Sequence, residues 1–177
     1  MAVADKEYSN SALAVWTSSD GRTWKKTPTD LVGAASAIAA FGDRVVIIGA
    51  MPDSKLGMRP VSWSSTDGLA WVESDPAPGG PAYMLDDVAA VGDTLVAIGS
   101  SHSVTAFAAG VPQGTASATP ERVWVSSDGT TWRLLAEGLP GDFGPSFSTH
   151  VTAFGGRVVV ATQGPSSVEV FLGDPVR

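Results

Sequence analysis

The chain has 177 residues, 44% of them apolar, which is enough to bury a core as one domain or a short array. Eighteen acidic against eleven basic residues give a net charge of -7, and only Lys25 and Lys26 are adjacent cations, so nucleic acid and an anionic membrane surface are excluded as natural partners. Cysteine is absent, which excludes disulfides, thiolate metal sites and a cysteine nucleophile.

The opening residues, Met1 to Glu7, lack an apolar run of signal-peptide length, and no window approaches a spanning helix, so membrane insertion is not expected. An export signal in a secreted parent would have been removed. The first chemically specified element follows at residues 16–24, which run Trp16-Thr17-Ser18-Ser19-Asp20-Gly21-Arg22-Thr23-Trp24. The phrase returns at 63–71 and at 124–132, and these three copies hold all six tryptophans. A repeat of roughly 50 residues signals stacked units, none of which can bury its apolar face alone. Within each copy Ser-x-Asp-Gly is a turn, because Asp accepts backbone N–H groups and Gly supplies a positive φ. The flanking segments, such as 15–18 and 23–26, then pair as a C-D hairpin.

A second phrase alternates with the first, at 38–49, 88–99 and 151–162. Each copy has two apolar, partly β-branched runs around Gly42-Asp43, Gly92-Asp93 or Gly155-Gly156, the signature of a hairpin with a two-residue turn. This is an A-B hairpin. The unit is therefore an antiparallel four-stranded meander, and meanders repeated radially form a β-propeller, with a flat or sandwiched sheet as the competing arrangement.

One repeat domain over 1–177 is expected, all-β throughout. It comprises a C-D hairpin at 12–28, a blade at 34–75, a blade at 85–136 with an insertion at 101–122, and an A-B hairpin at 148–164 with a tail at 165–177. Three blades do not close a ring, since closed propellers have about four to eight. The chain is read either as a piece of a longer propeller or as a half-ring completed to six blades by homodimerisation. In the second case the first C-D pair completes the last A-B pair, unless residues 168–172 serve as that sheet's own C strand. Trp24, Trp71 and Trp132 are expected to plug the gaps between blades.

The wording Ser-x-Asp-Gly-x-Thr-Trp at 18–24 and 126–132, with Ala70 replacing Thr in the copy at 65–71, resembles the Asp-box, or BNR repeat. That repeat occurs in bacterial sialidases, photosystem II assembly factors and sortilin-type receptors, all propellers. The resemblance implies a structural role, at the rim and away from any catalytic centre, for Ser18, Asp20, Gly21, Trp24, Ser65, Asp67, Gly68, Trp71, Ser126, Asp128, Gly129 and Trp132. It also implies an extracytoplasmic setting.

Short A-B and C-D turns lie at one end of such blades, and the long connections at 28–34, 51–61, 74–85, 101–122 and 136–150 at the other. Long loops on a rigid scaffold carry binding residues. The candidates there are Arg59, Tyr83, Asp86, Asp87, His102, Arg122, Phe143 and His150. Asp86 and Asp87, adjacent at a strand start, point to opposite faces and are not read as a metal site; neither metal nor cofactor is expected.

Sialidase-like chemistry, which the resemblance brings into question, needs several arginines, a Tyr nucleophile assisted by Glu, and an Asp acid/base. The chain has only Tyr8 and Tyr83, and Met58-Arg59-Pro60 is its one approach to the family's Arg-Ile-Pro signature. Glu73, Glu121 and Glu137 leave a retaining carboxylate pair open. There is no phosphate-binding glycine loop, no His pair at metal spacing and no Gly-x-Ser-x-Gly elbow. The expectation is a non-catalytic scaffold that binds a protein or glycan through its long-loop face. The alternatives are a glycosidase active only as a dimer or within a longer parent, and a purely architectural self-assembling propeller.

Overall fold

The computed structural model describes residues 12–53, 57–77, 84–100, 121–138, 148–163 and 167–174, which form strands and no helix. An N-terminal hairpin of β1 (Val15–Thr17) and β2 (Lys25–Thr27) is followed by a first blade of β3 (Ala34–Phe41), β4 (Arg44–Asp53), β5 (Gly57–Ser65) and β6 (Val72–Ser74). The second blade contains β7 (Met84–Val91), β8 (Thr94–Ser100), β9 (Arg122–Ser126) and β10 (Arg133–Glu137). The last sheet contains β11 (Ser148–Phe154), β12 (Arg157–Gln163) and β13 (Val168–Gly173). All pairings are antiparallel and join consecutive strands.

The A-B turns are two-residue turns: Phe41 pairs with Arg44, Val91 with Thr94 and Phe154 with Arg157. Gly42, Gly92 and Gly155 take φ of 58°, 62° and 59°, and Gly156 follows at 75°, the left-handed values such turns require. In β3 and β7 the register shifts at Ser36 and Asp86. Each bulge lies beside a glycine, Gly49 or Gly99, where an added Cβ would collide with the Ala34 or Met84 carbonyl.

Alternation along the B strands builds a core between every pair of sheets. Val46 and Ile48 of β4 meet Leu85, Val88, Leu95, Ala97 and Trp124 of the second blade. Val96, Ile98, Val123 and Val125 on the blade's opposite face meet Val151, Val158 and Val160. Ile47, Val61 and Trp63 meet Leu13 and Val15 beside the N-terminal hairpin. Continuous apolar runs thus mark strands covered on both faces.

Three sequence expectations are corrected. Residues 51–61 are not a long loop: β4 and β5 stay paired from Val45–Ser65 out to Asp53–Gly57. Pro60 is tolerated because β6 pairs β5 only from Ser62 to Ser64, so β5 is an edge strand at that level. The first hairpin does not complete the last A-B pair, because β13 occupies the edge of β12 from Val158–Gly173 to Gln163–Val168. The Trp24 plug fails as well. Trp24 is 57% exposed, and the fully buried tryptophans are Trp63 and Trp124, which open their phrases. Trp71 and Trp132 do pack against inter-sheet cores, each with a sheet on its N-terminal side.

Candidate functional site

The Ser-x-Asp-Gly turns use their polar groups internally. Asp20 Oδ1 accepts the Arg22 and Thr23 N–H groups at 2.8 and 2.7 Å, and Ser18 Oγ accepts the Gly21 N–H at 2.9 Å. Asp67 does the same with Leu69 and Ala70 at 2.7 and 2.9 Å, and Asp128 with Thr130 and Thr131 at 2.7 and 2.6 Å. Accepting N–H bonds favours the ionised carboxylate. The Thr23 and Arg22 N–H groups and the Ser18 hydroxyl lower Asp20 from 3.8 to about 2. Burial raises Asp128, but N–H bonds from Thr131 and Thr130, with hydroxyls of Thr131 and Ser126, outweigh it and hold the group below the usual carboxylate range. Asp67 is lowered chiefly by the Leu69 and Ala70 N–H groups; Ala70 lacks the hydroxyl that Thr23 gives to Asp20 at 3.2 Å. These carboxylates are therefore engaged in building turns.

The opposite end carries the remaining polar chemistry. Arg59 pairs with Glu73 at 2.7 Å and lies 3.9 Å from Asp75; Arg122 pairs with Glu137 at 2.9 Å. Both arginines thus brace a C strand against its D strand. The sequence brought out Asp86 and Asp87, and the structure sends them to different partners at the β7 bulge. Asp86 Oδ2 accepts the Ser100 hydroxyl at 2.9 Å. Asp87 Oδ1 accepts the Val88 N–H at 2.8 Å, while its Oδ2 accepts the Val151 N–H at 3.0 Å and stands 3.4 Å from His150 Nδ1. Asp87 therefore links β7 to β11 across the junction of two sheets.

Glu121, considered in the sequence only as half of a carboxylate pair, is buried at the foot of β9, and its Oε1 accepts the Thr149 hydroxyl at 2.5 Å. Thr149 and Ser100 were not singled out from sequence. The signal available was positional, since Thr149 falls at the place in its repeat that Asp86 holds in the preceding one. Asp87, His150, Thr149 and Glu121 are thus drawn to one junction, at the ends of β7, β9 and β11 that face the long connections. Tyr83, His102, Phe143 and the insertion at 101–120 lie outside the described residues. Among the described residues no group of three His, Asp or Glu side chains is arranged to hold a metal. The junction carries hydrogen-bond acceptors and an exposed imidazole.

No protein-family model and no curated protein sequence matches the chain. Solved structures do match in fold. An alpha-L-arabinofuranosidase from Fusarium graminearum, in complex with an iminosugar inhibitor, matches with a TM-score of 0.57 and 13% identity over 90% of this chain and 50% of its own. Trypanosoma rangeli sialidase in complex with the inhibitor DANA matches with a TM-score of 0.52 and 13% identity, over 90% of this chain and 26% of its own. A Bombyx mori beta-fructofuranosidase matches with a TM-score of 0.50 and 13% identity, over 96% of this chain and 42% of its own. The chain therefore spans half or less of the length of each of these proteins. They are β-propellers, and the antiparallel four-stranded sheets of this chain are β-propeller blades.

Proposed function

We propose that the chain is a non-catalytic propeller scaffold of the Asp-box type that binds a saccharide through the long-loop ends of β7 and β11. The observation that supports this reading best is the Asp87 and His150 pair. The carboxylate is held between two sheets by the Val151 N–H, and the imidazole beside it is 72% exposed. A fixed carboxylate next to an exposed imidazole gives polar edges that suit the hydroxyl groups of a sugar, and rigid elements hold them at low entropic cost. The likeness to glycosidase propellers favours a saccharide over a protein ligand.

The non-catalytic part rests on how the charges are used. Arg59 and Arg122 are committed to Glu73 and Glu137, which removes them from the arginine cluster that sialidase chemistry needs. Asp86, Asp87 and Glu121 each accept a protein hydrogen bond. The test is a saccharide array read alongside calorimetry and a panel of chromogenic glycosides, using wild type, Asp87→Asn and His150→Ala. Binding without turnover, weakened about tenfold or more in both variants, is the expected result, equivalent to about 1.4 kcal/mol. Turnover that Asp87→Asn abolishes would replace the scaffold with a glycosidase, and an array without a single hit would remove the saccharide.

A further inference from the structure

The junctions between sheets repeat one pattern, and that pattern is left half-made at both ends of the described chain. The closing Trp of the second and of the third phrase lies against the sheet before it. Trp132 donates its indole N–H to Ser62 Oγ of the first blade at 2.9 Å, and Trp71 joins the core that includes Leu13 and Val15 beside the N-terminal hairpin. Trp24 belongs to the N-terminal hairpin, has no such sheet before it among the described residues, and is 57% exposed. The glycines agree. A Cβ on Gly129 would meet Val46 of the first blade at 2.7 Å and one on Gly68 would meet Thr17 at 3.6 Å, whereas one on Gly21 would meet nothing within 4 Å.

The other half of the pattern is found on β13. Ser62 pairs with Ile48, Val123 with Ile98 and Val170 with Ala161, and these partners hold one position in the three A-B phrases. Ser62 and Val123 are 0% and 8% exposed beneath the next sheet, while Val170 is 66% exposed. Leu172 and Val168 lie on the same face of β13 and are exposed with it. An exposed apolar face of this kind on a sheet marks an interaction surface.

We infer that a second copy of the chain supplies the missing half: Trp24 and the N-terminal hairpin of one copy stack on the Val170 face of the other. The occupant is a second copy because the molecule already packs these two kinds of surface against each other within itself, and among the described residues one of each is left uncovered. The contact joins a head to a tail, so it closes when the rotation between copies returns to the start and otherwise propagates. It differs from the strand exchange expected from sequence, because β13 keeps its place beside β12 and the copies meet face to face. The inference does not depend on the saccharide reading.

The test is sedimentation velocity over a wide concentration range for wild type, Trp24→Asp, Val170→Asp and an equimolar mixture of the two variants. Wild type is expected to associate, and each variant to shift association about tenfold or more to higher concentration, equivalent to 1.4 kcal/mol or more. The mixture is expected to recover a discrete dimer, since each variant retains the surface its partner has lost. Because the chain has no cysteine, Trp24→Cys mixed with Val170→Cys should also give one specific disulfide-linked dimer, a readout that holds even if the Asp variants misfold. A wild type that stays monomeric throughout overturns the inference. So does a loss confined to Val170→Asp that mixing does not restore, which would mean tail-to-tail pairing.

Discussion

The indole N–H of Trp132, in the second blade, donates to the hydroxyl of Ser62, in the first, at 2.9 Å. Ser62 is fully buried, so the bond is shielded from water and joins two sheets. Removing the hydroxyl leaves a donor without its partner, which costs about 1–3 kcal/mol. Ser62→Ala should therefore lower unfolding free energy by that amount in urea titrations. Trp132→Phe in the Ser62→Ala background should cost less than it does in wild type, since the bond is already gone. Additive losses would show that the pair is not coupled.

The three phrases look alike in sequence, but their tryptophans are not energetically alike. Trp63 and Trp124 are almost wholly buried between sheets, and truncating either to Ala should cost about 3–5 kcal/mol. Trp24→Ala, measured at a concentration where the chain is monomeric, should change stability by no more than about 0.5 kcal/mol, as exposed substitutions do. Thermal or urea unfolding of the three variants ranks them directly. A large loss at Trp24 would mean that other parts of the chain cover it.

Why the repeats were legible, and the site less so, follows from the range of the contacts. Gly42 and Gly92 identify their hairpins because turn and register are set within a few residues. Residues 51–61 were expected as a loop, yet Pro52 lies past the last β3 pairing, Ala34 with Ala50, and Pro60 past the last β6 pairing, Ser62 with Ser74, where a proline forfeits little pairing. The bonds that assemble the candidate site, Glu121 to Thr149 and Asp87 to Val151, span 28 and 64 residues. No local pattern announces them, and Thr149 carries no chemistry that would single it out before the sheets are stacked.

The turn carboxylates set an acid limit on stability. Asp20 has its pKa lowered from 3.8 to about 2 by turn N–H groups, and Asp67 and Asp128 are lowered as well. A group depressed in the folded state stabilises it fully above its unfolded value and loses that contribution as pH falls through the folded value. The urea midpoint should accordingly begin to lose the turns' contribution as pH falls below about 4, with the share of Asp20 lost through about pH 2. Asp128→Asn should be less stable than wild type at pH 7 and show a smaller acid loss. An acid loss of undiminished size in that variant would assign it to other groups.

Gly129 and Gly21 occupy the same place in their turns, with φ of 73° and 69°, so an alanine is equally strained at either. Their surroundings differ. Beside Gly129 an added Cβ would lie 2.7 Å from Val46 Cγ2 and 3.5 Å from Arg44 Cδ, where the turn packs on the first blade; around Gly21 there is open space. Arg44 also donates to the Asp128 carbonyl at 2.7 Å, so the turn cannot move away without giving up that bond. Gly21→Ala should thus show the backbone term alone, while Gly129→Ala should add an overpacking cost of about 1–3 kcal/mol. Comparing the two variants by urea unfolding isolates the contact between the blades from the turn conformation itself. Equal losses would mean that Val46 gives way to the methyl group, and that the junction between the first two blades is softer than its buried side chains imply.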